Sequence, residues 1–330
     1  MGLFGGGYEK AGSGIAKDKP KKKGFFRYME IFGRKFWNLL GLNFLYFLFF
    51  LPLLGAGVCL FLWIGGKLTG IAGIGSTVLL AVLFAVLIGP ATAAHTKILK
   101  NFVMEKPSFV THDFFQTFRK EFRHSAVVGI LDSVVVTCIA AACYVYPQLI
   151  DQTGSKVYYV FFGVTLSVGI VLLLMNFYAF LMIVSTNLSL KNTLKNSLAL
   201  AIVALKQNAL TFLIVAAVAA VYVLAIVFVD LKYSMILLFL LPVMPASWVG
   251  LVIVFRTYPI IQKYIINPYY EQRGEINPEL LQNDPDDEDV LFEDMGGKEK
   301  PIEAPKKTKG NRSTSSQSRA AKSHKGKIIS

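Results

Sequence analysis

A chain of 330 residues that is 54% hydrophobic and only 17% charged, with a mean hydropathy of +0.52, is too apolar for a soluble domain, where about a quarter of residues carry charge. The net charge of +13 would direct a soluble protein to nucleic acid, but in a membrane protein basic residues first report orientation. The expected partner is therefore the lipid bilayer, with no specific nucleic acid.

The chain opens on glycines rather than on a basic stretch followed by an apolar core, so no cleavable leader is read. Gly6 stands where N-myristoylation needs Ser or Thr, which discounts Gly2 as an acceptor. Residues 1–24 read as a disordered basic segment. Phe25, Met29, Phe32 and Phe36 then recur at helical spacing among Arg27, Arg34 and Lys35, the pattern of a short interfacial helix.

About 20 apolar residues cross a bilayer core. The run from Phe36 to Gly89 is too long for one crossing, and Gly65, Gly66 and Lys67 mark its turn. Spans are expected near 38–63, 72–94, 125–147, 157–185, 208–229 and 234–255, within a membrane domain of residues 25–264. Cys59, Cys138 and Cys143 all fall inside apolar runs with no metal-type spacing, so neither a disulfide nor a metal is implied.

Charge tests the count. With a cytoplasmic N-terminus, nine basic residues precede Phe36, six lie between His95 and His124, three between Thr186 and Asn208, and thirteen follow Phe255. The outer side holds only Lys67, Lys156 and Lys232. That bias fits six spans with both termini cytoplasmic, whereas five would place the basic tail outside. Tyr144, Tyr146, Tyr158, Tyr159, Tyr233 and Trp63 gather at the outer ends as an aromatic belt.

Two cytoplasmic stretches look amphipathic. Asp113 can cap a helix, with Gln116 three residues on; Phe114, Phe115, Phe118 and Phe122 then share one face and Arg119, Lys120 and Arg123 the other. A second stripe, Leu190, Leu194, Leu198, Ile202 and Leu205, lies opposite Lys191 and Lys195. Both read as in-plane helices, and the first is the candidate docking surface for a partner. FFQTFRK and LKNTLKN share an apolar-x-x-Thr-apolar-basic pattern, which fits either a parallel repeat of hairpin plus surface helix or a chance likeness.

The run GPATAAHTKILKNFV, the later DFFQTFRKEFRHS opening a span, and a second basic helix before two terminal spans resemble the YesL-like family of bacterial integral membrane proteins, a domain of unknown function. The resemblance covers about residues 25–264. Against the family pattern, residues 55–88 look inserted after Pro52, and Glu121 replaces a polar amide. The resemblance implies a non-enzymatic protein of the bacterial cell membrane, often an accessory of carbohydrate ABC importers, with no catalytic residue or cofactor to carry over.

Stripes of small residues, Ala81, Ala85, Gly89 and Ala93 in span two and Ser125, Gly129, Ser133 and Thr137 in span three, predict close helix approach. Asp132 lies about 12 Å inside the membrane from His124, and Asn176 about 14 Å from Ser185, so the two can hydrogen-bond. A carboxylate at that depth is costly and should face the bundle interior, which makes the pair a candidate intramembrane polar site. Pro242 and Pro245 should kink or break span six. His95, His112 and His124 form no metal-ligand motif, and neither a nucleophile elbow nor a phosphate loop is present.

Beyond Tyr264, seven acidic residues between Asp284 and Asp294 give way to ten basic ones between Lys298 and Ser330. Residues 265–330 read as a disordered tail whose basic end suits anionic lipid. The sequence thus predicts an all-α membrane protein, a six-span bundle with two in-plane helices and disordered termini. Its expected function is a non-catalytic accessory or scaffold in carbohydrate ABC transport, contacting a permease; the alternative is a small-solute transporter or channel using Asp132.

Overall fold

The computed structural model describes residues 24–228, 245–275 and 277, and every regular element among them is helical. The order is α1 (Phe25–Arg34), α2 (Phe36–Phe47), a 3-10 turn (Leu48–Phe50), α3 (Leu51–Ile64), α4 (Gly70–Val103), α5 (Val110–Lys120), α6 (Phe122–Thr153), α7 (Val157–Ser185), α8 (Leu190–Val203), α9 (Leu205–Phe228) and α10 (Pro245–Ile261). A π-helical turn (Gln262–Ile266) and α11 (Asn267–Arg273) follow. The 3-10 turn sits where Pro52 has no N–H to offer the carbonyl of Leu48, so the first crossing tightens there.

Among the described residues five segments are long and apolar enough to cross a bilayer: Phe36–Ile64, Gly70–Val103, Phe122–Thr153, Val157–Ser185 and Ala246–Arg273. A sixth is made by α8 and α9 if that pair, bent by 91° at Ala204, counts as one crossing. The chain is therefore a helical protein of the multi-pass membrane type. Residues 1–23, 229–244 with Pro242, and most of the expected tail 265–330 lie outside the described residues. Residues 265–273, assigned to the tail by composition, are instead helical, and Ile266 and Tyr270 are buried. Tyr270 and Ile266 give this stretch its apolar contact.

Packing is concentrated at one end of the bundle. The core gathers the final turns of α4 (Gly89, Ala91, Ala94, Ile98, Leu99, Phe102) and of α7 (Leu174 to Ser185), with Leu39 and Leu42 of α2 and Leu251, Val254 and Ile261 of α10. The other ends expose large apolar side chains, among them Phe61, Ile71, Leu79, Val136, Val160, Leu213 and Phe228. Apolar side chains turned outward along helices this long are what hydrocarbon accommodates. At 34 residues α4 is about 51 Å long, well beyond a hydrocarbon core of about 30 Å. It overruns the expected end at residue 94, and GPATAAHTKILKNFV is its largely buried second half.

Residues 51–88 form a hairpin of α3 and the first half of α4, closing through Gly65 and Gly66 as expected, with Gly66 at φ +69°. A Cβ on Gly73 would stand 2.5 Å from Cδ1 of Trp63, so glycine is what lets the indole lie against α4. The small-residue stripes meet as expected. A Cβ on Gly129 of α6 would lie 2.6 Å from Cα and N of Gly89 in α4, and one on Gly89 would strike the carbonyl of Ser125. The two backbones are in contact at this crossing.

The docking helix is used differently from the sequence expectation. Phe114 is fully buried and Phe118 half-buried, each against Phe49, with centroids 5.7 and 5.0 Å apart. Phe122 is half-buried beside Phe118, while Arg119, Lys120 and Arg123 are exposed. The bend before Pro52 turns Phe49 towards α5, so Phe114 and Phe118 are spent on the chain's own core, while Phe115, 44% exposed, and the cationic face remain open. Asp113 is not the first residue of the helix: α5 starts at Val110, and Asp113 Oδ2 accepts from the N–H of Phe109 (3.0 Å) and Oγ of Ser108 (2.7 Å).

In α8, Leu190 and Leu194 pack on the core as expected, but Leu198, Ile202 and Leu205 turn outward, Ile202 being 64% exposed. Thr193, Ser197, Leu200 and Ala201 face α7 instead. These small side chains bring α8 close to Met182, whose Sδ lies 3.5 Å from Oγ of Ser197.

Candidate functional site: a cavity among four spans

A cavity of about 670 Å³ is walled by α2, α4, α7 and α10, a volume in the range of small-molecule sites. Thirteen of its nineteen lining residues are apolar or glycine, including Phe47, Phe50, Leu99, Phe177, Phe180 and Val254. The rest are Asn43, Tyr46, Thr92, His95, Thr96 and Asn176, and no lining residue carries a formal charge.

The polar groups are arranged by the helices that carry them. Asn43, buried in α2, directs Oδ1 at the first turn of α10, where it accepts from the N–H of Ser247 at 3.1 Å. Pro245 is the first described residue of that helix, and the residues before it, where the break is expected, lie outside the described residues. The Ser247 hydroxyl lies 3.0 Å from His95 Nε2 and 3.4 Å from Asn43 Oδ1, joining α2, α4 and α10. The imidazole of His95 stacks on Tyr46 at 4.6 Å. A Cβ on Gly250 would stand 3.0 Å from its Cε1, so that glycine makes room for the ring.

Tyr46 Oη lies 2.8 Å from Thr92 Oγ1, and Thr92 already donates to the carbonyl of Ile88 at 2.8 Å. Tyr46 is therefore the donor, and its oxygen keeps its acceptor capacity. Across the cavity, Asn176 Nδ2 donates to Asp132 Oδ1 at 2.8 Å, the pairing expected from depth alone. Asp132 stands behind this amide and does not line the cavity. Two buried amide atoms lack partners, Asn43 Nδ2 and Asn176 Oδ1.

The three histidines do not converge. His95 is in the cavity wall, His112 lies beside Asp113 at the surface (3.4 Å), and His124 is exposed. Among the described residues no three His, Cys, Asp or Glu side chains come together as a metal site. All three cysteines are free, and Cys138 and Cys143 are exposed on the apolar outer surface.

Asn43, Tyr46, Thr92 and Ser247 are absent from the sequence-derived candidates. The signal that singled out Asp132 applies equally to Asn43 and Ser247: a polar side chain inside an apolar run needs an internal partner.

Helices of this length around an uncharged internal cavity define a helical, multi-span membrane protein. Residues 39–144, from α2 into α6, match the family model described as "Protein of unknown function, DUF624". The match contains Asn43, Tyr46, Thr92, His95 and Asp132 and ends before α7. No curated protein and no solved structure matches the chain.

Proposed function

We propose that the chain is a non-catalytic, six-span protein of the bacterial cell membrane that holds a small solute in this cavity, as a transporter or as the solute-binding part of one. The observation that carries this reading is the space among four spans whose polar groups come from three different helices, α2, α4 and α7. Bundles that only pack have no use for such a void, which forfeits dispersion contacts around its lining. Both termini are cytoplasmic on the charge bias, so the tightly packed end, with Lys97, Lys100 and Lys106, faces the cytoplasm. Asp132 acts on the cavity through Asn176, the part left to it by the alternative in which an intramembrane carboxylate serves transport.

Filling the space tests the reading. Native mass spectrometry of the unaltered protein, extracted with its own lipids, is expected to show a co-purifying small molecule that Ala246→Phe removes. Identical spectra from the two proteins reject it. Topology is tested by single cysteines replacing Lys67 and Lys106 in a chain lacking Cys59, Cys138 and Cys143. A membrane-impermeant thiol reagent added to whole spheroplasts should label only position 67.

The YesL-like resemblance supports a second reading, an accessory or scaffold of a carbohydrate ABC importer. The exposed cations Arg119, Lys120 and Arg123, with Lys191 and Lys195 of α8, offer a cationic face to such a permease or to anionic lipid. A photo-crosslinker at position 119 should then capture a permease subunit, and adducts with lipid alone dismiss the accessory role.

A further inference from the structure

Granting that the cavity is the solute site, its chemistry narrows the solute. The lining carries no formal charge, and an ion moved into such surroundings loses its hydration without gaining a partner. The walls are dominated by Phe47, Phe50, Phe177, Phe180 and several aliphatic side chains, which cannot meet the many hydroxyls of a sugar.

The atoms still able to bond include one donor group, Asn43 Nδ2, and two acceptors, Tyr46 Oη and Asn176 Oδ1. Tyr46 donates its hydroxyl hydrogen to Thr92 in a hydrogen bond, so Oη can only accept. Asn176 is oriented by Asp132, which accepts a hydrogen bond from Nδ2, and Oδ1 is left without a donor. Asn43 is oriented by Ser247, which occupies Oδ1 and leaves Nδ2 without an acceptor. Both amide atoms are shut off from water in this conformation, so a bound molecule meets them through a small rotation of the side chain. We infer that the cavity binds an uncharged, mainly apolar molecule bearing a hydroxyl or N–H that donates to Asn176 Oδ1 or Tyr46 Oη.

Three probes of one shape separate the possibilities: 4-butylphenol, its methyl ether 4-butylanisole, which has lost only the donor, and 4-butylbenzoate, which is charged. Binding is measured to the full chain in nanodiscs of defined lipid, with empty nanodiscs subtracted for partitioning. The phenol should bind about tenfold more tightly than the ether, the size of effect a buried polar atom left unmet produces. The benzoate should not compete. Tyr46→Phe or Asn176→Leu should shrink the phenol-to-ether ratio without changing affinity for the ether, whereas general damage would weaken both probes alike.

Equal binding of phenol and ether, or preference for the benzoate, overturns the inference while leaving the cavity as a site. If Ala246→Phe, folded by its thermal transition, binds the phenol as well as the unaltered chain, the cavity reading fails too. Should mass spectrometry find only bilayer lipid in the unaltered protein, with no displacement by the phenol, the inference is likewise overturned.

Discussion

Replacing Gly129 by valine is expected to be the most damaging single change in the membrane domain. A Cβ there would stand 2.6 Å from Cα and N of Gly89, and 3.2 Å from the carbonyl of Ala85. All three atoms are backbone, so no rotamer change relieves the contact, and α4 and α6 must separate. Separation spreads along both helices, because the same crossing sets Ser125 against Gly89 and places α6 so that Asp132 can reach Asn176. Overpacking a well-filled core commonly costs about 1–3 kcal/mol, and a clash between two backbones belongs at or above the top of that range. Ser133→Ala, one turn further on, loses only a bond within α6 from its hydroxyl to the carbonyl of Gly129, and should cost well under 1 kcal/mol by comparison. Denaturant unfolding in mild detergent, followed by circular dichroism, compares the two. Equal stability of Gly129→Val and Ser133→Ala would show that the helices do not touch as described.

That crossing was legible in the sequence because close helix approach leaves a residue-type signature: small side chains at four-residue spacing on both partners. The Asp132–Asn176 pair was legible for a related reason, since depth along a helix follows from residue count and the cost of a lone carboxylate demands a partner. What escaped the sequence was the use of amphipathic faces. Phe114 and Phe118 have the pattern of a surface helix, and nothing local says whether lipid, a partner or Phe49 covers them; the bend before Pro52 decides it. The same holds for α8, where Ser197 and Thr193 outcompete the bulkier Leu198 and Ile202 for the buried face because closeness to α7 favours small residues. The cavity was illegible as well, because a void exists only in the relation of four helices. Its lining runs from Asn43 to Val254, more than 200 residues apart in the chain.

The corner between α8 and α9 supplies the second large effect. A 91° turn at Ala204 takes the carbonyl of Ala201 out of the helical ladder at a buried site, while that of Leu200 keeps the N–H of Ala204 (3.1 Å), and the cost must be met by something other than water. Asn208 meets it. Its Nδ2 donates to the carbonyls of Leu200 (3.2 Å) and Ala201 (3.0 Å), and its Oδ1 accepts from the hydroxyl of Tyr178 in α7. One fully buried amide thus closes the end of one helix, begins the next and ties both to a third. Asn208→Leu keeps the volume and removes all three bonds, leaving the Ala201 carbonyl and a phenol unmet while the Leu200 carbonyl keeps the N–H of Ala204. With about 1 kcal/mol or more for each buried group left unsatisfied, the variant should lose about 2 kcal/mol. Tyr178→Phe removes only the third bond together with its donor, and about 1 kcal/mol is expected. The double variant should then cost about what Asn208→Leu costs alone, since the hydroxyl has no partner left to lose. Full additivity of the two changes would mean that Tyr178 and Asn208 act separately, and that the corner is held by packing of Leu200 and Ala201 instead.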